Sequence, residues 1–265
     1  MKIAWIVGLV LLSAVSAPAR SATVDEVLGL FDSGRFEEAV TAGRSEGSQN
    51  GLLLAIRSEL VLIQYLYEPV HRKAAIERAI ADARKALVLN DRKVEALINL
   101  GVAIGLRGRL ERSAADGKEA RVLFDRAVQL EPHNSWALGV LATWHGETLY
   151  EAGFFAGRFV MGAKKKAAFT LFEQALAEDP DNLPIRASYI RTLLKLKPDK
   201  FAETIAVNVR YLMAQPPRNA LDRILQEQIR QIEAARKRGD ETALRLLLDE
   251  AAPLCLPMSC RGEAR

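Results

Sequence analysis

The chain has 265 residues, of which 37 are basic and 33 acidic, so its formal net charge is +4. Because the opposite charges are interleaved along the chain, they indicate a solvated surface and argue against nucleic-acid binding. With only 2 cysteines and 3 histidines, the composition also argues against a metal site.

The N-terminal segment has the three parts of a secretory signal peptide. Lys2 supplies the positive charge, residues 3–15 form an apolar run, and Ala17-Pro18-Ala19 is a small-x-small cleavage site. Residues 1–19 are predicted to be removed, with 1–22 as the alternative. The apolar run is shorter than the roughly 20 residues that span a bilayer, which argues against a membrane anchor. Export is therefore predicted, most simply to a bacterial periplasm, with membrane contact at most peripheral.

The first predicted helices come directly after the predicted signal peptide. Residues 24–47 form a degenerate helix pair, in which GRFEEAV (residues 34–40) contains a turn glycine, an aromatic residue and a small alanine. Residues 52–67 are apolar on much of the helix circumference, which predicts a buried helix. Pro69 precedes the next helix.

One spacing then recurs three times. In each copy, three small or aromatic residues separated by four and three positions share a helical face, and a turn residue follows five positions later. The copies are Ala79, Ala83, Ala86 and Asp91; Ala120, Phe124, Ala127 and Pro132; and Ala168, Phe172, Ala175 and Pro180. Each copy predicts a second helix, a tight turn and the first helix of the next pair, with Asn134 or Ser135 capping one such helix.

The last helices differ from this pattern. Asp181-Asn182 caps a helix over residues 183–195, and residues 201–214 form a less regular one. A long charged helix over residues 218–237 is apolar along one side, and a short helix ends at Ala252. Because terminal helices with a polar outer face cap repeat arrays, this final pair is predicted to be a cap.

The recurring hairpin resembles the tetratricopeptide repeat, a pattern of about 34 residues per helix pair. The resemblance covers most of residues 24–215 and rests on KALVLND, RAVQLEP and QALAEDP. It implies an all-α domain over residues 23–252, built as an elongated, right-handed superhelical solenoid of antiparallel helix pairs. Against that repeat length the chain carries insertions at residues 107–118 and 153–166, each of which lengthens a helix or forms a loop.

In the family that the chain resembles, the first helices line a concave groove that binds peptides or partner proteins. The resemblance therefore implies a protein or peptide partner. The matching groove positions are Glu95, Ile98, Val102, Trp136, Thr143, Glu147, Arg191 and Lys195. Trp136 has a second interpretation, as a core residue.

A narrower resemblance, carried by residues 162–194, is to the periplasmic T-component proteins of TRAP-type (tripartite) solute transporters. Those proteins are built from repeats and partner a periplasmic solute-binding subunit. They are commonly lipid-anchored, whereas this chain has no cysteine near the cleavage site. This resemblance implies the alternative function, an accessory ligand-binding component of a solute-transport system.

The second insertion, residues 153–166, is rich in apolar residues. Its aromatic side chains are Phe154, Phe155 and Phe159. One interpretation buries them in the core of their own hairpin, as is usual for aromatic clusters. The other makes the segment a flap over one end of the groove, or a contact surface for a partner or lipid head groups beside Lys164–Lys166.

Catalytic motifs are missing from the sequence. It contains no phosphate-loop glycine-lysine signature, no G-x-S-x-G and no H-E-x-x-H. His145 has carboxylates nearby, but Glu147 is two positions away, so the two side chains diverge on a helix. The chain is therefore expected to be no enzyme and to hold neither a cofactor nor a metal ion.

Both cysteines, Cys255 and Cys260, lie in the C-terminal tail, residues 253–265. Two thiols that are close together in an oxidising compartment usually pair, which predicts a structural disulfide. A redox pair and a metal clip are the alternatives, although the spacing is not C-x-x-C.

Overall fold

The computed structural model describes residues 22–250, apart from the side chains of Phe154 and Glu250. Every regular element in that range is helical, which confirms the predicted all-α class. The predicted signal peptide, residues 1–19, and both Cys255 and Cys260 lie outside the described residues. Of the helices in the described range, none combines the length and the apolarity needed to cross a membrane.

The helices are α1 Val24–Ser33, α2 Phe36–Glu46, α3 Gln49–Val61 (continued by a π-helical turn, Leu62–Leu66), α4 Pro69–Leu89, α5 Val94–Glu111, α6 Ala114–Leu130, α7 Ser135–Glu151, α8 Gly153–Phe155 (continued by a π-helical turn, Ala156–Val160), α9 Lys165–Glu178, α10 Leu183–Leu196, α11 Ala202–Ala214, α12 Ala220–Arg238 and α13 Glu241–Glu250.

The recurring sequence pattern occupies the buried faces of α4, α6 and α9. All nine of its alanine and phenylalanine residues are buried. Helix α5 packs against α6, and α7 against α9, so the pattern marks helix hairpins as predicted. Because the small residues recur on one helical face, the two helices of a hairpin can approach closely.

Gly101 of α5 faces the Phe124 ring of α6. A Cβ atom at Gly101 would be 2.5 Å from Cε1 of Phe124, closer than real side-chain contacts come. Phe124 is the aromatic residue of the recurring pattern, and it is almost fully buried. Gly101 therefore makes the room that the phenylalanine ring fills.

Side-chain caps start several of these helices. Oδ1 of Asn134 accepts a hydrogen bond from the backbone N–H of Ala137 at 3.0 Å, so Asn134 rather than Ser135 caps α7. Oδ1 of Asn182 accepts one from the N–H of Ile185 at 3.1 Å, as predicted for α10. Each bond satisfies a backbone donor that has no partner inside the helix.

The two insertions have different outcomes. The first, residues 107–118, lengthens helices: α5 continues to Glu111 and α6 begins at Ala114, so only a tight turn separates them. The second, residues 153–166, interrupts the hairpin of α7 and α9 with the short α8, its π-helical turn and an irregular link.

Six helices form a continuous circuit of contacts. Helix α1 packs against α3, α3 against α5, α5 against α7, α7 against α10, α10 against α12, and α12 against α1. At the last contact, a Cβ atom at Gly34 would lie 2.9 Å from Cβ of Ala220. The first helix therefore meets the second-to-last helix of the described range, which differs from the elongated shape expected from the repeats.

A shared core explains this contact. Phe31 of α1, Ile190 of α10 and Leu225 of α12 belong to one buried apolar cluster. The buried face of α12, including Ile229 and Ile232, is the apolar side predicted from the sequence. Burial of that face against α1 and α10 closes the circuit, because α1 and α12 would otherwise expose apolar surface to water.

Candidate binding cavity

A cavity of about 1810 Å³ is lined by residues of five of the six helices in this circuit. Side chains of α3, α5, α7 and α10 line its wall, and residues of α12, α13 and the second insertion border it. Leu60, Ile98, Val140 and Leu225 are among the apolar residues of the wall, which also carries both positive and negative side chains.

Seven of the eight groove positions predicted from the sequence line this one cavity. They are Glu95, Ile98, Val102, Trp136, Thr143, Glu147 and Arg191. The eighth, Lys195, does not line it: its side chain is 1% exposed and bonded to Glu147. Lys195 instead borders a separate hollow of about 470 Å³, together with Tyr150 and Lys165.

Trp136 lies on the cavity wall and is 38% exposed, so it is not a core residue. The guanidinium carbon of Arg57, on α3, lies 5.8 Å from the centre of the Trp136 ring and 4.6 Å from that of Phe31. Burial lowers the pKa of Arg57, although the charges of Glu95, Asp32 and Asp222 oppose this shift.

The prediction of groove residues did not include Arg57, because it came from family positions in later repeats. A signal was present. An arginine in the strongly apolar stretch over residues 52–67 has to bury its guanidinium or direct it into a cavity.

Glu147 is the centre of a buried charge network. Nζ of Lys195 donates hydrogen bonds to both carboxylate oxygens of Glu147, at 2.8 and 3.0 Å. Nη1 of Arg109 lies 3.5 Å from Oε2 of Glu147, and Nη2 of Arg109 lies 2.5 Å from Oε1 of Glu151. Burial alone raises the pKa of Glu147, but Lys195, Arg109 and Arg191 outweigh it and the pKa is lowered.

Arg191 is 7% exposed and has few partners for a buried cation. Its Nη2 donates a hydrogen bond to Oγ of Ser188 at 3.2 Å, whereas its Nη1 has no hydrogen-bond partner. No carboxylate among the described residues forms an ion pair with it. Asn99, on α5, also lines the cavity, and its Nδ2 has no hydrogen-bond partner.

His145 is buried beside the ring of Trp144. Its Nδ1 accepts a hydrogen bond from the backbone N–H of Lys164 at 3.2 Å, which attaches the end of the second insertion to α7. Burial, helped by the charges of Arg121 and Lys164, lowers the pKa of His145 to about 4. Within residues 22–250, no group of three histidine or acidic residues is placed to hold a metal ion.

The second insertion puts its aromatic residues outside the core. Phe155 and Phe159 are 75% and 72% exposed, and their rings are stacked with centres 6.2 Å apart. The interpretation that buried them in the hairpin core is therefore wrong for these two residues, while the Phe154 side chain lies outside the description. Ala156, Val160 and Met161 of the same segment border the cavity.

Gly157 explains this orientation. It packs against the backbone of α7, where a Cβ atom would lie 2.9 Å from the carbonyl oxygen of Thr148. Residues two positions apart in a helical turn point to nearly opposite sides. Because Gly157 faces α7, the rings of Phe155 and Phe159 point away from α7.

Comparison with models of known protein families finds no match to this chain, and comparison with curated proteins finds none.

Proposed function

We propose that the chain is an exported repeat protein of the tetratricopeptide type that binds a peptide segment of a partner protein in its central cavity. In this proposal the helix pairs form a right-handed superhelical solenoid whose first helices face inward. One observation carries the proposal: seven positions chosen from the sequence as groove residues line a single cavity.

The size of the cavity favours a peptide. Its volume of about 1810 Å³ exceeds the roughly 300–1,000 Å³ of most small-molecule sites, so a segment of several residues fits. The wall is helical, so an extended peptide cannot pair with a strand edge there. Recognition therefore depends on side chains, with apolar residues such as Val102 and Trp136 beside charged ones.

A second candidate is the accessory ligand-binding component of a solute-transport system. The contact between α1 and α12 favours it, because this contact closes a circuit of helices that an open superhelix would leave open. We propose no catalytic role for either candidate, since the cavity residues form no nucleophile-and-base constellation of a known type.

Site-specific photo-crosslinking tests the proposal. A photoreactive amino acid replaces Val102 on the cavity wall, and in a matched control it replaces Val122, which is exposed on α6. The full chain is expressed in cells with its N-terminal segment intact. We expect the residue 102 variant, and not the residue 122 variant, to form a covalent adduct with one protein.

The site of attachment in that partner, mapped by mass spectrometry, should lie in a short peptide segment. Equal adducts from both positions, or none from residue 102, would overturn the proposal. Native mass spectrometry showing a small molecule that co-purifies with the chain would support the second candidate instead.

A further inference from the structure

Three cations surround Glu147, a residue of the cavity wall. Lys195, Arg109 and Arg191 all act on Glu147 electrostatically, and Glu151 is the other acidic residue bonded in this network. Of these three cations, Arg191 is the one without an ion pair among the described residues, because Lys195 and Arg109 have carboxylate contacts of their own.

The position of Arg191 is unfavourable in the absence of a further anion. Burial of a cation without a counter-ion is strongly unfavourable, so such groups are normally paired. Lys195 follows Arg191 by four positions on α10, which places two like charges on one helix face. The hydroxyl of Ser188 satisfies only one of the guanidinium nitrogens.

Arg57, another guanidinium of the wall without an ion pair among the described residues, is in a different situation. Three carboxylates, Glu95, Asp32 and Asp222, act on it electrostatically, so its surroundings already carry negative charge. An added anion would be repelled there. Arg191, by contrast, has no ion pair among the described residues, so a negative group is attracted to it.

We infer that Arg191 binds a carboxylate group of the molecule that occupies the cavity. The planar guanidinium matches the two oxygens of a carboxylate, and Nη1 is the nitrogen that lacks a partner. The Ser188 hydroxyl accepts from Arg191 and keeps its own proton for donation to the same carboxylate. The Nδ2 of Asn99, also without a partner, is a further donor on the wall.

A carboxylate suits this position better than a phosphate. Arg191 supplies one unpaired positive charge, which one carboxylate neutralises, whereas a phosphate monoester carries about −1.5 to −2 at neutral pH. This inference rests on the proposed function, since it names the chemical group of the cavity's ligand. The carboxylate can belong to a peptide or to a free organic acid.

Calorimetric titration with benzoate, benzamide and inorganic phosphate tests the inference on the full chain at fixed ionic strength. Benzamide has nearly the shape of benzoate but no charge. We expect benzoate to bind the wild-type chain at least about tenfold more tightly than benzamide or phosphate, because a hydrogen-bonded charge contributes that much.

Arg191→Met should abolish this preference, and Arg191→Lys should reduce it because an ammonium lacks the bidentate fork. Arg210→Met, on the exposed side of α11, is the control and should bind benzoate as the wild type does. The Arg191→Met variant should also melt no lower than the wild type, since it removes an unpaired buried charge. A purely structural arginine would lower the melting temperature and leave the preference for benzoate intact.

Three results would overturn the inference: no benzoate binding by the wild type, equal binding of benzoate and benzamide, or a preference that survives in Arg191→Met. Tighter binding of phosphate would reassign the group. The crosslinked partner peptide, synthesised with its carboxylates and with each one amidated, distinguishes a peptide ligand from a free acid. If that peptide is bound equally in both forms, the inference fails while the proposed function stands. If benzoate binds at Arg191 but the photoreactive residue at position 102 captures no protein, the inference stands while the proposed function fails.

Discussion

Nζ of Lys195 lies 2.8 Å from Oε2 of Glu147, and this contact joins α10 to α7 across 48 positions of sequence. Both residues were expected to be groove positions available to a partner. The structure instead buries the ammonium of Lys195 against the carboxylate of Glu147, so the two residues hold the cavity wall together. Charge reversal at Glu147 is therefore expected to destabilise the fold, which a groove residue without tertiary partners would not do.

Replacement of Lys195 by methionine should lower the free energy of unfolding by about 2–4 kcal/mol, measured by urea denaturation. Loss of one partner of a buried pair typically costs about 3–5 kcal/mol, and Arg109 remains 3.5 Å from Glu147 to compensate part of it. Lys73→Met is the matched control, because the Lys73–Glu111 pair is exposed and screened by solvent, so its loss should change stability far less. Similar losses of unfolding free energy in both variants would show that the buried Lys195–Glu147 pair stabilises the fold no more than the exposed pair does.

Two glycines of α5 should respond in opposite ways to alanine. Gly101→Ala places a methyl group 2.5 Å from the Phe124 ring and should destabilise the chain by about 1–3 kcal/mol through overpacking. At Gly105 the nearest atom to a new Cβ is Cβ of Ala120 at 3.7 Å, an ordinary contact. Gly105→Ala should therefore gain up to about 1 kcal/mol from helix propensity. Thermal melting of both variants measures this, and a shift of the same sign in both would contradict it.

His145 should make stability depend on pH between about 6.5 and 4. Because its folded pKa of about 4 is below the ordinary value of 6.5, the unfolded chain binds the proton first, and stability is lost as pH falls through this window. The loss amounts to about 3 kcal/mol at most. His145→Asn keeps an acceptor for the N–H of Lys164 and should lose less stability than the wild type between pH 7 and 4.5.

His133 provides the control for this pH effect. It is exposed beside Glu178, whose hydrogen bond and charge raise the pKa of the imidazole. A raised pKa acts in the opposite direction, so His133→Asn should retain the full loss of stability on acidification. If urea denaturation shows parallel pH profiles for the wild type and His145→Asn, the account of His145 is wrong.

Serine at both Phe155 and Phe159 should change the free energy of unfolding by less than about 1 kcal/mol, because both rings are exposed. Phe172→Ala, at a fully buried ring of the recurring pattern, is the comparison and should cost about 3–5 kcal/mol. A large loss in the double serine variant would mean that the rings are covered in solution. Retained stability with reduced crosslinking at Val102 would identify the stacked pair as part of the partner's contact surface.

Export is the remaining prediction, and the described residues do not bear on it. The protein recovered from the periplasm should have the mass of a chain that begins at residue 20, or at residue 23 under the alternative. Intact-mass measurement decides between them. Retention of Met1 in the recovered protein would contradict export by cleavage.

The sequence alone was sufficient to predict the helix hairpins. The spacing of Ala120, Phe124 and Ala127 reports a helical face directly, because residues four and three positions apart lie on the same side of a helix whatever surrounds them. The caps were readable to within one residue, with Asn134 chosen over Ser135 and Asn182 over Asp181 by the structure, since a cap bonds to a backbone N–H three positions away. Seven of the groove positions came from the same local register, carried over from the family resemblance.

Only the tertiary structure decided what those positions do. The contact of α1 with α12, the burial of Lys195 against Glu147, and the isolation of Arg191 each depend on residues far apart in sequence. The orientation of Phe155 and Phe159 depended on where the Gly157 backbone meets α7. A local pattern determines which face of a helix is apolar, whereas the partner of a charge depends on the summed geometry of every helix between the two residues.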